Sequence, residues 1–381
     1  MHTCTLVLLL LVGVAAAGFA PLHKVNESIK GRYLIKFKDD LDVDTVVDDI
    51  QRRVQQQRLG HAKISYRYYR VVKGMAAELS EEALEYIRTL DEVECVSENP
   101  RSHATTPWGL DRIDQFNLPL DGSFSTSASY NEGAGVEIWV VDSGIRPTHN
   151  DFGNRASVEF DAYGGDGIDC HGHGTHCAGT TGGSYYGVAK RATIKGVKVL
   201  GSPPCSKSGT GDAMIAGLDY VAANAKRPAL ISMSVGFAGT WDYFDTVVRN
   251  VISGGIPVIV AAGNDNIDAC TVSPSRISEA VTVGATDNTD SRAWYSNWGN
   301  CIDIFAPGSD IPSTYYTSDN AVYTMSGTSM ACPHVSGMVA LYLAENPNLT
   351  GAQVMNKLVN SATWGKLSNI GAGSPNLLAY I

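Results

Sequence analysis

The chain has 381 residues, 44% hydrophobic and 18% charged, enough for one large core and a smaller second domain. Its formal net charge is −10 and its pI about 5.3. No run of Lys or Arg occurs, which argues against nucleic acid or an anionic membrane surface as a partner.

Residues 1–17, MHTCTLVLLLLVGVAAA, hold an apolar run from Leu6 to Val14 that ends in small residues. Ala15 and Ala17 are placed for signal-peptidase cleavage, and the run is too short for a bilayer span. No later stretch is long and apolar enough to cross a membrane. The reading is a signal peptide at 1–17 and a secreted, soluble product.

Residues 31–99 carry a self-contained α+β pattern. A strand at 33–37 precedes an amphipathic helix at 44–57, with Val46, Val47, Ile50 and Val54 on its apolar side. Strands at 64–69 and 75–79 follow, and Ser80 then caps a helix with Glu81 and Glu82 in its first turn. A last strand at 93–96 completes βαββαβ, the order of a small ferredoxin-like sandwich. Residues 98–106, ENPRSHATT, are polar and aperiodic and read as an exposed, cleavable linker.

From Pro107 the character changes to apolar strands alternating with helices. Strands are expected at 136–141, 193–200, 230–235, 257–262, 280–285 and 301–305. Helices are expected near 174–181, 211–225, 241–253, 328–345 and 351–359. Near-continuous apolar strands separated by helices predict a mostly parallel sheet covered on both faces, an α/β class domain. Six cysteines remain once Cys4 in the signal and Cys95 in the first domain are set aside, and spacing alone does not pair them.

Four short stretches carry the chemistry. Asp142 ends a buried strand before Ser-Gly, where α/β sheets place their ligands, although Asp-Ser-Gly is also an ordinary turn. His173 opens a small-residue helix within HGHGTHCAGT. With His171, His176, Asp169 and Cys170 nearby, a metal site is a rival reading of that stretch. It lacks the histidine pair with intervening Glu of a zinc hydrolase helix. Asn264 follows the strand IVAAG, where its amide can donate to an oxyanion or merely turn the chain. Ser329 stands at the start of the helix beginning GTSMACPHVSG, where free N–H groups favour a developing anion. Pro333 fits there, since the one hydrogen bond it deletes would have gone to the carbonyl of Ser329.

Asp, His, Asn and Ser in this order, with DSG at 142–144, GHGTHCAGT at 172–180, AAGN at 261–264 and GTSMACPHVSG at 327–337, resemble the subtilisin-like serine peptidases. The similarity is greatest to the proteinase K group. PWGLDRID (107–114) resembles the start of the mature enzyme in that group, and YLIKFK (33–38) the first strand of its inhibitory propeptide. The resemblance implies a subtilisin-like peptidase domain at 105–381 behind an inhibitory propeptide at 18–104. Ser329 would be the nucleophile, His173 the general base and then acid, and Asp142 the group that orients and supports the imidazolium. Asn264 and the Ser329 N–H would form the oxyanion hole, with His171, His176 and His334 in supporting roles.

It further implies that Lys207–Thr210, with Ser208 and Gly209 at its centre, and Ser234–Gly236 hold an extended peptide by backbone pairing. Val235, Ala262, Gly263 and Val272 would wall the first specificity pocket. No acidic side chain is assigned to that pocket, so the expected preference before the scissile bond is apolar or aromatic. Phe237 stands where many relatives carry a glycine, a departure that bears on the edge of the cleft. Disulfides Cys170–Cys205 and Cys270–Cys301 are implied, leaving Cys177 and Cys332 as thiols. A structural Ca2+ is implied at the carbonyls of Ser278 and Ala280 with Asp303; no catalytic cofactor is expected. The partners would be protein and peptide substrates and the chain's own propeptide, on a monomeric enzyme. The alternative from another class is a secreted, inactive relative that binds partners through the same cleft.

Overall fold

The computed structural model describes residues 19–25, 28–100, 106–201, 205 and 208–381. The signal-peptide reading of 1–17, the cleavable segment at 101–105 and Lys207 lie outside the described residues. The chain divides into two units, with the division between Ala104 and Thr105.

The first unit holds strands β1 (Leu22–His23), β2 (Ser28–Phe37), β3 (Ala62–Tyr68), β4 (Gly74–Leu79) and β5 (Val93–Pro100), with helices α1 (Val43–Gln56) and α2 (Glu81–Ile87). The sheet order is β1-β5-β2-β4-β3, the expected βαββαβ sandwich with a short extra edge strand. Asp42 caps α1 by accepting from Thr45 N, and Ser80 caps α2 by accepting from Ala83 N. Val46, Val47, Ile50 and Val54 turn the apolar side of α1 into a core shared with Ile35, Phe37 and Met75. One boundary is corrected: Glu98–Pro100, read as linker, continue β5, where Glu98 pairs with Tyr33 and Pro100 with Ser28. Proline is tolerated there because it ends the strand.

The second unit contains α3 (Trp108–Ile113), β6 (Glu137–Asp142), β7 (Ala156–Asp161), α4 (His173–Gly182), β8 (Thr193–Lys198), α5 (Gly211–Asn224) and β9 (Ala229–Met233). It continues with α6 (Asp242–Ser253), β10 (Val258–Ala261), β11 (Val281–Thr286), β12 (Ile304–Pro307), β13 (Ile311–Thr314) and β14 (Val322–Met325). It closes with α7 (Thr328–Glu345), α8 (Gly351–Ser361), β15 (Thr363–Trp364) and β16 (Leu377–Leu378). The nine-stranded sheet has the order β15-β16-β12-β11-β10-β9-β6-β8-β7, parallel except for the β15–β16 pair. β7, the β13–β14 hairpin, α3 and the two C-terminal strands were not predicted.

Alternation along β6 divides the core. Ile138 and Val140 face α4 and α7, whereas Trp139 and Val141 face α5 and α6. α7 is buried on every side, so its sequence is apolar all round rather than amphipathic. The chain lays down β6, β7 and β8 in one direction and then returns past β6 to form β9 and its successors. That reversal opens a crevice at the carboxyl ends of β6, β8, β9 and β10.

Candidate active site

Asp142 closes β6 at this crevice and is fully buried. Ser143 N donates to its Oδ1 at 2.7 Å. His173 is the first residue of α4, and Gly172 before it has φ +102°, in the left-handed region. A side chain at Gly172 would also run into the Tyr315 ring, 2.1 Å from an ideal Cβ, so only glycine fits there. The turn sets His173 Nδ1 2.8 Å and 2.9 Å from the two Asp142 carboxylate oxygens. A carboxylate at Nδ1 fixes the N–H there and leaves Nε2 as an acceptor. Burial is the largest single influence and disfavours the imidazolium, but the charge of Asp142, the Cys177 thiol and the hydrogen bonds to both together outweigh it and hold the His173 pKa well above the usual histidine value.

Asp169 organises both turns. Its Oδ1 accepts from Ser143 Oγ, His171 N and Gly172 N, and its Oδ2 from Thr175 N and Oγ1, at 2.6–3.0 Å. The sequence offered it only as a possible metal ligand. That metal reading is not met: His176 Nε2 is engaged by the carbonyls of Ile311 and Tyr323 inside the core. Burial holds the His176 pKa down to about 4. Cys170 is bonded to Cys205, and Cys270 to Cys301, the pairings implied by the resemblance. Among the described residues, Asp142, His173 and Cys177 alone bring three ligand-type atoms close together, and there the carboxylate already serves the imidazole.

Ser329 is the second residue of α7. Pro333 cannot donate to its carbonyl, and Ser234 Oγ at 3.0 Å and Cys177 Sγ at 3.3 Å take that place. The Ser329 hydroxyl donates to Ser234 O at 3.2 Å. Asn264 is oriented by Thr328, whose N and Oγ1 donate to Asn264 Oδ1 at 2.8 Å and 2.9 Å, so the amide's Nδ2 donor points elsewhere. An ideal Cβ on Gly327 would lie 3.6 Å from both Asn264 Nδ2 and Ser329 N. Both donor nitrogens therefore border the same small space. Asn297 supports this corner and had no sequence signal. It is fully buried, donates to Ala262 O at 2.8 Å, and accepts from Asp265 N and Ile267 N at 3.1 Å.

Ser234, Val235, Gly236, Ala262, Gly263 and Val272 line a cavity of about 280 Å³ that also reaches Asn264 and Ser329. Asp265 lines it too, an exposed carboxylate that the sequence did not assign to the pocket. Ser208 and Gly209 line a second cavity of about 310 Å³ with His171 and His173. Ser278, Ala280 and Asp303 stand apart from both cavities, around the start of β11. Burial pushes the Asp303 carboxyl up to about 7, offset only by Thr282 N donating to Oδ2 at 2.8 Å. A carboxylate this costly to charge, with no cationic side chain beside it among the described residues, fits a hard divalent cation.

A buried carboxylate on an imidazole, a helix-start serine and a two-donor corner, gathered at the carboxyl ends of a parallel sheet, define a serine hydrolase built for acyl transfer. Residues 133–376 match the subtilase family and residues 32–104 the peptidase inhibitor I9 family. The chain belongs to the subtilase family of serine proteinases. An extracellular serine proteinase of Thermus sp. (strain Rt41A) is 43% identical over 376 residues, covering 93% of this chain and 90% of its own length. Alkaline protease 1 of Emericella nidulans is 38% identical over 408 residues, covering 100% of this chain and 99% of its own. The crystal structure of a cold adapted subtilisin-like serine proteinase is 48% identical with a TM-score of 0.68. It matches 73% of this chain and 98% of that one.

Proposed function

We propose that this chain is a secreted endopeptidase that cuts peptide bonds through an acyl-enzyme, with Asp142, His173 and Ser329 as its triad. The observation that carries the reading is the buried Asp142 carboxylate held on His173 Nδ1, which leaves Nε2 able to take a proton. Rotation of the Ser329 hydroxyl from Ser234 O toward Nε2 starts the reaction. Such hydrogen bonds are commonly misaligned until substrate binds. Oγ attacks the scissile carbonyl carbon while its proton passes to Nε2. The carbonyl oxygen becomes an oxyanion facing Asn264 Nδ2 and Ser329 N. The amine then leaves with the proton from His173, and water repeats the sequence to release the acid.

The substrate strand lies along Ser208–Gly209 on one side and Ser234–Gly236 on the other. Val235, Ala262, Gly263 and Val272 favour an apolar or aromatic residue before the scissile bond, while exposed Asp265 lies among the lining residues. Residues 18–104 serve as folding assistant and transient inhibitor, cut from the peptidase domain 105–381 after signal removal at 1–17. Secretion agrees with the two disulfides and with the name of the Thermus relative. Ca2+ at the Ser278 and Ala280 carbonyls and Asp303 would supply charge compensation and rigidity only. All the catalytic groups come from one chain, so a monomer suffices.

Titration with a serine-directed fluorophosphonate tests the proposal. One equivalent should label Ser329 and abolish peptidase activity, and Ser329→Ala should take no label and remain an uncut precursor. A fully folded, unlabelled wild type would make the chain a binding protein instead.

A further inference from the structure

The two cavities flanking the 234–236 segment share four residues: Ser234, Val235, Gly236 and Phe237. The Ser234 hydroxyl is committed to Ser329 O, Gly236 has no side chain, and Val235 is buried in the core beneath. Phe237 is the large side chain left to stand between the two spaces. Its backbone is pinned by Phe237 N donating to Ser273 O at 2.9 Å. Its ring meets Trp241 and Phe244 edge-on, with centroids 4.8 Å and 4.9 Å away, and those two rings stack on each other. Phe244 is fully buried. The ring therefore stands on a fixed aromatic base, so it is held as a wall rather than as a mobile flap.

We propose that Phe237 is a specificity-determining partition that sets the width of both cavities at once, an inference that rests on the peptidase reading above. A peptide held in extended form alternates its side chains between two faces. The residue before the scissile bond enters the cavity beside Ser329, and residues at even positions upstream enter the cavity beside His173. Because one ring borders both, the two preferences are coupled. Peptides bulky at both positions compete for space around the same side chain.

The test compares wild type, Phe237→Ala and Phe237→Leu on peptides carrying Ala or Trp at the first, second or fourth position before the scissile bond. Phe237→Ala should raise the Trp-over-Ala ratio of kcat/KM about tenfold at the first position and also at an upstream even position. Phe237→Leu should give a smaller shift at both; it keeps an apolar contact with Trp241 and Phe244, so it carries the test if the alanine variant does not fold. An active wild type whose ratios move at one position only, or at neither, overturns the partition. A wild type inert toward both peptides and fluorophosphonate overturns the peptidase reading, and this inference with it.

Discussion

Replacing Asp142 by Asn probes the centre of the proposed mechanism, because the structure dictates which way the new amide must face. Ser143 N donates to Asp142 Oδ1 at 2.7 Å, so the oxygen of an asparagine stays there. The new NH2 group then takes the place of Oδ2, which lies 2.9 Å from His173 Nδ1. The retained oxygen still lies 2.8 Å from Nδ1, but the new donor now opposes the Nδ1–H, and this shifts the imidazole toward the tautomer with its proton on Nε2. That tautomer cannot accept the proton of Ser329.

The charge is lost as well. At about 4 Å and an effective dielectric near 20, a carboxylate–imidazolium attraction is worth about 4 kcal/mol, roughly a thousandfold in rate. Removing the carboxylate from such a triad costs roughly 10⁴ in kcat, about 5.4 kcal/mol. The field alone falls short of that, and the wrong tautomer accounts for the remainder. The variant should be processed by tagged wild-type enzyme that is then removed, and kcat/KM measured against pH on a chromogenic peptide. Asp142 raises the His173 pKa, so without its charge the imidazole is neutral at lower pH and the acid limb moves down. Activity above a tenth of wild type, or an acid limb that does not move, would refute the reasoning.

Gly327→Ala should lower kcat by roughly 10²-fold or more with little change in melting temperature. Its backbone is extended and accepts alanine, while the methyl occupies the space between Asn264 Nδ2 and Ser329 N; activity within a few-fold of wild type would move the oxyanion site elsewhere. A mercurial should inhibit wild type and Cys332→Ala but spare Cys177→Ala, because Cys177 Sγ lies 3.9 Å from His173 Nδ1 whereas Cys332 Sγ faces Ile259 O. Burial raises the Cys177 thiol pKa, so bulky alkylating agents should react slowly; inhibition lost only in Cys332→Ala would name the other thiol. A strong chelator should lower the melting temperature, since a cation at a hundred times its Kd contributes about 2.7 kcal/mol to the folded state. Asp303→Asn should blunt that response, and an unchanged melting temperature in wild type would remove the calcium proposal.

The parts legible in the sequence were those where chemistry and local geometry share the same few residues. DSG, GHGTH, AAGN and GTS each end a strand or begin a helix, and the apolar periods around them gave the sheet and its covering helices. β7 was missed because ASVEFD is only half-buried and lacks the apolar run of its neighbours. The β13–β14 hairpin was missed because IPST and VYTM are four residues each. Glu98–Pro100 were lost to the linker because the end of β5 is polar and aperiodic, just as a linker is.

Polar support was illegible for a different reason: its partners are distant in the chain, and no period or motif connects them. Asn297 holds the turn after β10 from 30–35 residues away. Pro333 shows both sides of the matter. The sequence predicts that it leaves the Ser329 carbonyl without its helical donor, but not what fills the gap. Ser234 and Cys177 fill it, 95 and 152 residues distant. The proline therefore frees an acceptor that ties the nucleophile's helix to the segment after β9 that would bind substrate and to the histidine's helix. A sequence read locally finds the missing hydrogen bond, and only the fold shows that its replacement joins two of the motifs to the substrate-binding segment.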